Sequence, residues 1–230
     1  MINSLCLIPE LSCGRMCPNC YEKKKIYGQE LSLSEYVLFV QRNMDQLPSL
    51  MEVLIDYNGL ESKESLNQIL SILPEKLPVF VTLTPTSMKK IIGLDRKVDY
   101  RLSLHNSEDT ILAAELMKDH EIDCFSVMIN DVQTVSLPLL KGAPLYILFD
   151  KFSELWKSQG LDLFDKFLEA CTNLSNLTMD HCLQTRSLNH ECPAESQINL
   201  YRDGSIRRCP YQPVEPPDAD YSKGCYLIRS

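Results

Sequence analysis

The sequence predicts an α/β protein built on a parallel sheet, and three observations carry that prediction. Six short apolar runs alternate with stripes of helical periodicity over the first 170 or so residues. The alternation recurs at roughly 25-residue spacing, the length of a strand plus a helical crossover. Near residue 172 the periodicity fades, and four of the ten cysteines fall in the remaining stretch. Parallel strands with right-handed crossovers form an open sheet or a complete or partial barrel. Residues 1–171 are read as that unit and 172–230 as a small cysteine-bearing extension.

The strand candidates are Ser4–Ile8, Met51–Ile55, Val79–Leu83, Tyr100–Leu104, Phe125–Ile129 and Leu145–Phe149. Leu33, Tyr36, Val37, Val40, Met44 and Leu47 share one helical face, as do Leu66, Ile69, Leu70 and Leu73, and later Phe164, Phe167, Leu168 and Cys171. Thr84-Pro85 marks a helix entry, with a capping residue before a proline at the first helical position. Ser107 is read as the capping residue ahead of Glu108, Asp109 and the stripe Leu112, Leu116. In the extension, Gln197–Tyr201 and Ser205–Arg208 flank Arg202-Asp203-Gly204, a turn signal for a hairpin. The segment around Pro213, Pro216 and Pro217 reads as an extended surface linker.

Composition narrows the function classes. Hydrophobic residues make up 44% and charged residues 23%, and Gly is only 8 of 230, which excludes collagen-like and disordered chains. A net charge of −8 argues against a protein that neutralises many phosphates, so nucleic acid is not the expected partner. The start has no positive region before its apolar stretch, and the run from Val135 to Phe149 is broken by Pro138, Lys141, Gly142 and Pro144, so neither a secretory signal nor a membrane span is expected. A soluble, cytoplasmic protein follows as the expectation. In a reducing compartment ten thiols point to metal or redox chemistry rather than disulfides.

Directly after the first strand candidate stand Cys13, Cys17 and Cys20, spaced C-x3-C-x2-C in a stretch with Gly14 and Pro18. Three thiolates so close in a non-helical loop can ligate three irons of an iron-sulfur cube and leave the fourth open. This motif resembles that of the radical S-adenosylmethionine (radical SAM) superfamily. The resemblance implies a partial (βα)6 barrel, a [4Fe-4S] cluster on Cys13, Cys17 and Cys20, and S-adenosylmethionine chelated at the open iron. One position departs from the family pattern: Asn19, not an aromatic residue, precedes the third cysteine. After the second strand, Gly59 and Glu61 resemble the first and third positions of the family's Gly-Gly-Glu-Pro turn, while Leu60 and Ser62 depart from the others. The resemblance makes Glu61 the partner of the methionyl ammonium, a charge-assisted pairing. Ser103, near the end of the fourth strand, resembles a family serine that contacts the cofactor; His105 and Asn130 are assigned no role.

The extension carries a further resemblance. Cys192, eleven residues, Gly204, four residues and Cys209 resemble the opening of SPASM and twitch extensions, whose hairpin holds an auxiliary [4Fe-4S] cluster. Cys182, Cys192, Cys209 and Cys225 supply the number one cluster needs, which favours the shorter twitch type. Cys6, Cys124 and Cys171 are read as small buried hydrophobes. The resemblance further implies an oxidoreductase or peptide-modifying enzyme that takes an electron from reduced flavodoxin or ferredoxin and acts on a peptide, protein or small molecule. Two rival classes explain less. A zinc-stabilised interaction protein would usually pair two close knuckles, and only Cys17 and Cys20 are so spaced. A glutaredoxin-like thiol-disulfide oxidoreductase using Cys17-Pro-Asn-Cys20 leaves Cys13 and the tail cysteines without a purpose.

Overall fold

The computed structural model describes residues 1–13, 28–59, 61–128, 140, 144–148, 177–179 and 192–209. Its elements alternate as the periodicity requires: β1 (Ser4–Ile8), α1 (Leu33–Met44), β2 (Glu52–Asp56), α2 (Lys63–Ser71), β3 (Val79–Leu83), α3 (Pro85–Ile91), β4 (Asp99–Leu104), α4 (Ser107–Leu116), β5 (Ile122–Met128) and β6 (Leu145–Leu148). Then come β7 (Leu177–Met179), a 3-10 turn (Pro193–Glu195), β8 (Gln197–Tyr201) and β9 (Ile206–Arg207). The expected helix around Phe164, Phe167, Leu168 and Cys171, the segment near Pro213 and Asn130 lie outside the described residues.

The nine described strands join one sheet in the order β7-β6-β5-β4-β3-β2-β1-β8-β9. From β1 to β8 every pairing is parallel, and β9 turns back antiparallel on β8. Successive strands from β1 to β7 lie side by side, the order produced when each crossover winds the same way. The hairpin departs from that rule by returning to the first strand. Ser4 to Ile8 pair in register with Gln197 to Tyr201, so β1 lies between β2 and β8.

Alternate residues of each strand form one continuous core. Leu5 and Leu7, Val53 and Ile55, Val79, Val81 and Leu83, Leu102 and Leu104, and Phe125 and Val127 cluster with Tyr36 and Val40 of α1, Leu66 and Ile69 of α2, Met88 and Ile91 of α3, and Ala113 and Leu116 of α4. Burial of such side chains contributes about 1.5–3 kcal/mol each, which makes this face the main source of stability. The opposite face carries Cys6, Leu54, Asp56, Thr82, Ser103, Ser126 and Tyr146, all half-buried and mostly polar. A sheet with one apolar and one polar face has its helices on the first and keeps the second for ligands or solvent.

The helix starts follow side-chain chemistry. Ser32 caps α1 in a reciprocal box with Glu35, in which Glu35 N donates to Ser32 Oγ (3.3 Å) and Ser32 N donates to Glu35 Oε2 (2.8 Å). Ser62 accepts from Ser65 N (3.1 Å) at α2, and Thr84 accepts from Ser87 N (3.2 Å) at α3 with Pro85 in the first turn. At α4 the expectation needs correction. Ser107 is the first helical residue, and the cap is Asn106, whose Oδ1 accepts from Asp109 N at 2.9 Å. Asp109 completes the arrangement by accepting from His105 N at 3.0 Å, so the asparagine one residue earlier takes the capping position.

Candidate active site

The carboxyl ends of β2, β1 and β8 stand next to one another, and three loops meet there. Glu10, two residues past β1 and 2% exposed, accepts from two backbone donors of the loop after β2: Asn58 N on Oε2 and Glu61 N on Oε1 (2.6 Å). A buried carboxylate is tolerated when backbone donors replace its water, and here it fastens the first two loops together. Tyr57 Oη donates to Glu61 O at 2.7 Å and closes the turn from the other side. Burial, and then the Glu10 and Glu61 carboxylates, push the Tyr57 phenol up to about 12.

Gly59 is required where it stands. Its φ is +88°, and a Cβ there would lie 2.5 Å from Ser87 Oγ and 3.3 Å from Ser87 Cβ. Lys90 Nζ donates to the Gly59 carbonyl at 2.9 Å. Asn58, Gly59 and Glu61 are thus held by Tyr57 at the end of β2, by Glu10 after β1 and by Lys90 of α3.

The third loop is the hairpin turn after β8. Arg202 N donates to Ile8 O (3.0 Å) and Arg202 O accepts from Leu31 N (2.8 Å). Its guanidinium donates from Nε to Leu31 O (2.9 Å) and from Nη1 to Pro9 O (3.0 Å), and Nη1 also pairs with Glu61 Oε1. Asp203 follows. Its Oδ2 accepts from Gly28 N (2.9 Å), its Oδ1 from Ser205 N (2.9 Å), and Arg207 Nη2 lies 3.6 Å away. Burial raises the Asp203 pKa, but the bonds from Gly28 and Ser205 and the Arg207 charge outweigh it and leave the carboxyl below its ordinary value. Gly204 completes the turn at φ +77°.

These bonds frame the cysteine loop. Cys13 is half-buried where the chain leaves β1; Cys17 and Cys20 lie outside the described residues. Leu11 N donates to Glu30 Oε1 (3.1 Å), which joins the described segments on either side of residues 14–27. Gly28 and Leu31 are held by Asp203 and Arg202, which ties the returning limb to the hairpin. Donor chemistry suits an iron-sulfur cluster: a half-buried thiol, Cys13, follows β1 on the segment that Glu10 fastens to the loop after β2. Among the described residues no three potential metal-ligating side chains converge.

Cys192 and Cys209 are buried, at 6% and 7% exposure. Arg208 Nε donates to Ala194 O (2.8 Å) and its Nη2 to Glu195 O, so the residue before Cys209 is bonded to the short turn after Cys192. Asn199 Nδ2 donates to Arg207 O and Arg208 O, both at 2.9 Å, and fixes the returning arm. Cys182 and Cys225 lie outside the described residues.

Ser103 sits on the polar face of the sheet. Its Oγ is 3.0 Å from Ser126 Oγ, the residue opposite it in the β4–β5 register, so its partner is a hydroxyl and not a backbone group. Arg101 lies on the same strand, 2.8 Å from Asp123 Oδ2 and 3.9 Å above the Phe80 ring. Cys124 is buried, and that burial pushes its thiol up to about 12, consistent with an inert packing role. Cys6 is half-buried. Three residues escaped the sequence reading: Glu10, Arg202 and Ser126. Glu10 had one visible signal, a carboxylate directly after Pro9, the residue that follows the first strand.

No family model and no curated protein matches the sequence. Two solved structures share its fold. One is Streptococcus suis SuiB bound to the precursor peptide SuiA, with a TM-score of 0.64 and 12% identity over 98% of this chain. The other is SuiB bound to S-adenosylmethionine, with a TM-score of 0.63 and 12% identity over 91% of this chain. The chain spans 64% and 60% of the length of the SuiB chains in those two structures. At such identity the likeness establishes a common fold: an α/β architecture on a mostly parallel sheet.

Proposed function

We propose that this chain is a radical SAM enzyme whose residues 1–171 form a partial (βα)6 barrel and whose residues 172–230 form a twitch-like auxiliary iron-sulfur extension. The carrying observation is that the Glu10 carboxylate fastens the segment between β1 and Cys13 to Asn58 and Glu61 of the loop after β2. The consecutive strand order supports the barrel reading. A fold shared with a protein crystallised with S-adenosylmethionine supports the cofactor, and the same protein's complex with a precursor peptide supports a peptide or protein substrate. No helix among the described residues is long and apolar enough to cross a membrane.

In this reading Cys13, Cys17 and Cys20 hold the first [4Fe-4S] cluster. When bound, the cluster held by these thiolates would supply the one-electron reduction of S-adenosylmethionine that starts hydrogen-atom abstraction from the substrate, with flavodoxin or ferredoxin as the electron donor. Glu61 receives the methionyl ammonium, and Gly59 lets that turn sit close to α3. Glu10 and Tyr57 hold the turn in place. Ser103, with Ser126 beside it, offers a hydroxyl from the polar face of the sheet. Cys182, Cys192, Cys209 and Cys225 hold the auxiliary cluster, for which Arg208 and Asn199 keep the hairpin arms together.

Anaerobic reconstitution tests both assignments. The protein should bind about eight iron, and the triple Cys13/Cys17/Cys20→Ala variant about four. The wild type should cleave S-adenosylmethionine to 5′-deoxyadenosine under strong reductant, and the triple variant should not. Full cleavage by Cys13→Ala alone would refute the three-thiol site. Loss of all iron in the triple variant would remove the auxiliary cluster and leave the first standing.

A further inference from the structure

We propose that Arg202 is a positioning residue for the S-adenosylmethionine site: it presents the Glu61 carboxylate and couples the β8–β9 hairpin to cofactor binding. The inference rests on the radical SAM reading and adds to it a residue from the opposite end of the chain, 141 positions from Glu61.

The guanidinium is held independently of Glu61. Its Nε and Nη1 donate to the carbonyls of Leu31 and Pro9, and its own backbone bonds to Ile8 and Leu31. Four bonds to two other segments make it a fixed cation, 11% exposed, while the 20% exposed glutamate is the partner that adapts. Arginine suits this task because its planar fork can serve several acceptors at once, which lysine's single ammonium cannot do in the same geometry. A carboxylate has two acceptor oxygens, and Arg202 engages Oε1. The pairing selects one orientation of the Glu61 side chain and leaves the second oxygen to receive an ammonium.

The same contact makes the hairpin part of the site. Arg202 and Asp203 hold Leu31 and Gly28, where the cysteine loop returns, and the arms on either side of their turn lead to Cys192 and Cys209. A ligand that engages Glu61 therefore favours the state in which the hairpin is docked, and by reciprocity a docked hairpin favours the ligand.

The test uses the reconstituted full-length protein, with S-adenosylmethionine affinity measured by calorimetry for wild type, Glu61→Gln, Arg202→Gln and the double variant. Arg202→Gln should weaken binding about tenfold, the size expected for one charge-assisted contact. In the Glu61→Gln background the same change should cost less than twofold, because Arg202 acts through Glu61. Equal fold-losses in both backgrounds would make Arg202 a purely structural residue and overturn the proposal. A second measurement does not require the arginine variants to fold: hydrogen exchange of residues 197–209 should slow on adding saturating S-adenosylmethionine to the wild type and not to Glu61→Gln. Exchange indifferent to the ligand in the wild type would also overturn it. If wild-type protein loaded with its cluster does not bind S-adenosylmethionine, the radical SAM reading falls and takes the inference with it; binding with an additive cycle removes the inference alone.

Discussion

Replacing Gly59 with Ala tests whether the Asn58–Glu61 turn is as constrained as its contacts imply. Two costs are expected. At φ +88° a residue with a Cβ pays about 1–2 kcal/mol relative to glycine. The new Cβ would also meet Ser87 Oγ at 2.5 Å, so the hydroxyl must withdraw by about an ångström to reach ordinary contact. That hydroxyl lies 3.0 Å from Thr84 Oγ1 at the start of α3, and losing the bond costs about 1 kcal/mol. Rotating Ser87 does not remove its own Cβ, 3.3 Å from the added atom. The combined destabilisation is about 2–4 kcal/mol, in the range reserved for strain and overpacking. Urea unfolding of Gly59→Ala should read that loss, and Gly59→Ala/Ser87→Ala should recover about 1 kcal/mol by deleting the hydroxyl. Because Glu61 N and O belong to the same turn, S-adenosylmethionine affinity of the reconstituted protein should fall about tenfold in Gly59→Ala, or about 1.4 kcal/mol. A variant within 0.5 kcal/mol of wild type, about the scatter of a neutral surface change, would refute the strain argument; a stability loss without a binding loss would separate the turn from the cofactor.

Two further outcomes follow from buried hydroxyls. Tyr36 of α1 is fully buried and donates from Oη to Leu200 O of β8 at 2.8 Å, so Tyr36→Phe should lower unfolding stability by about 1–2 kcal/mol, read as a urea midpoint shift without a change in slope. An unchanged midpoint would mean the bond contributes nothing net to holding the hairpin strand. At alkaline pH, Tyr57 keeps its proton to about 12 when folded, whereas an unfolded tyrosine ionises near its ordinary value of 10.0. The unfolded state then binds fewer protons, so stability present below pH 10 is lost as pH rises toward 12, at no more than about 1.4 kcal/mol per pH unit for this group. Urea midpoints across pH 9–11.5, roughly one unit below to one and a half above the ordinary tyrosine pKa, should fall less steeply in Tyr57→Phe, and an identical slope would show that Tyr57 does not titrate with unfolding.

The elements that were legible in the sequence are those set by local periodicity. β1 and β3 run over Ser4–Ile8 and Val79–Leu83 as expected, β8 over Gln197–Tyr201, and α3 starts after Thr84 with Pro85 in its first turn. In each, alternation or helical spacing and the capping residues agree. The edges of β2 and β5 moved by one to three residues because polar residues such as Asp56 and Asp123 lie within the hydrogen-bonded ladder, which an apolar run does not mark. At α4 two adjacent capping residues competed, and the outcome depended on which side chain reached Asp109 N. What no local pattern could reveal is the pairing of β1 with β8, since residues about 190 positions apart leave no common periodicity.

The candidate site shows the same division. Glu61 was singled out by its place after the second strand, yet the atoms that give that place its chemistry belong to residues 10, 57 and 202, and each was hidden for its own reason. Glu10 reads as one more surface carboxylate until two backbone N–H groups of another loop arrive at it. Arg202 reads as a turn residue because its partners, Pro9, Leu31 and Glu61, lie on three segments assembled only when β8 lies beside β1. A motif scan assigns a residue type to a reaction; the sheet order decides which charges share the volume in which that reaction would occur. Placing the hairpin next to the first strand brings a cation, two carboxylates and the start of the cysteine loop to one strand-end junction. For that reason the Glu61–Arg202 cycle probes the fold and the chemistry at once: the two residues can be energetically coupled only if the chain closes β8 against β1 as described.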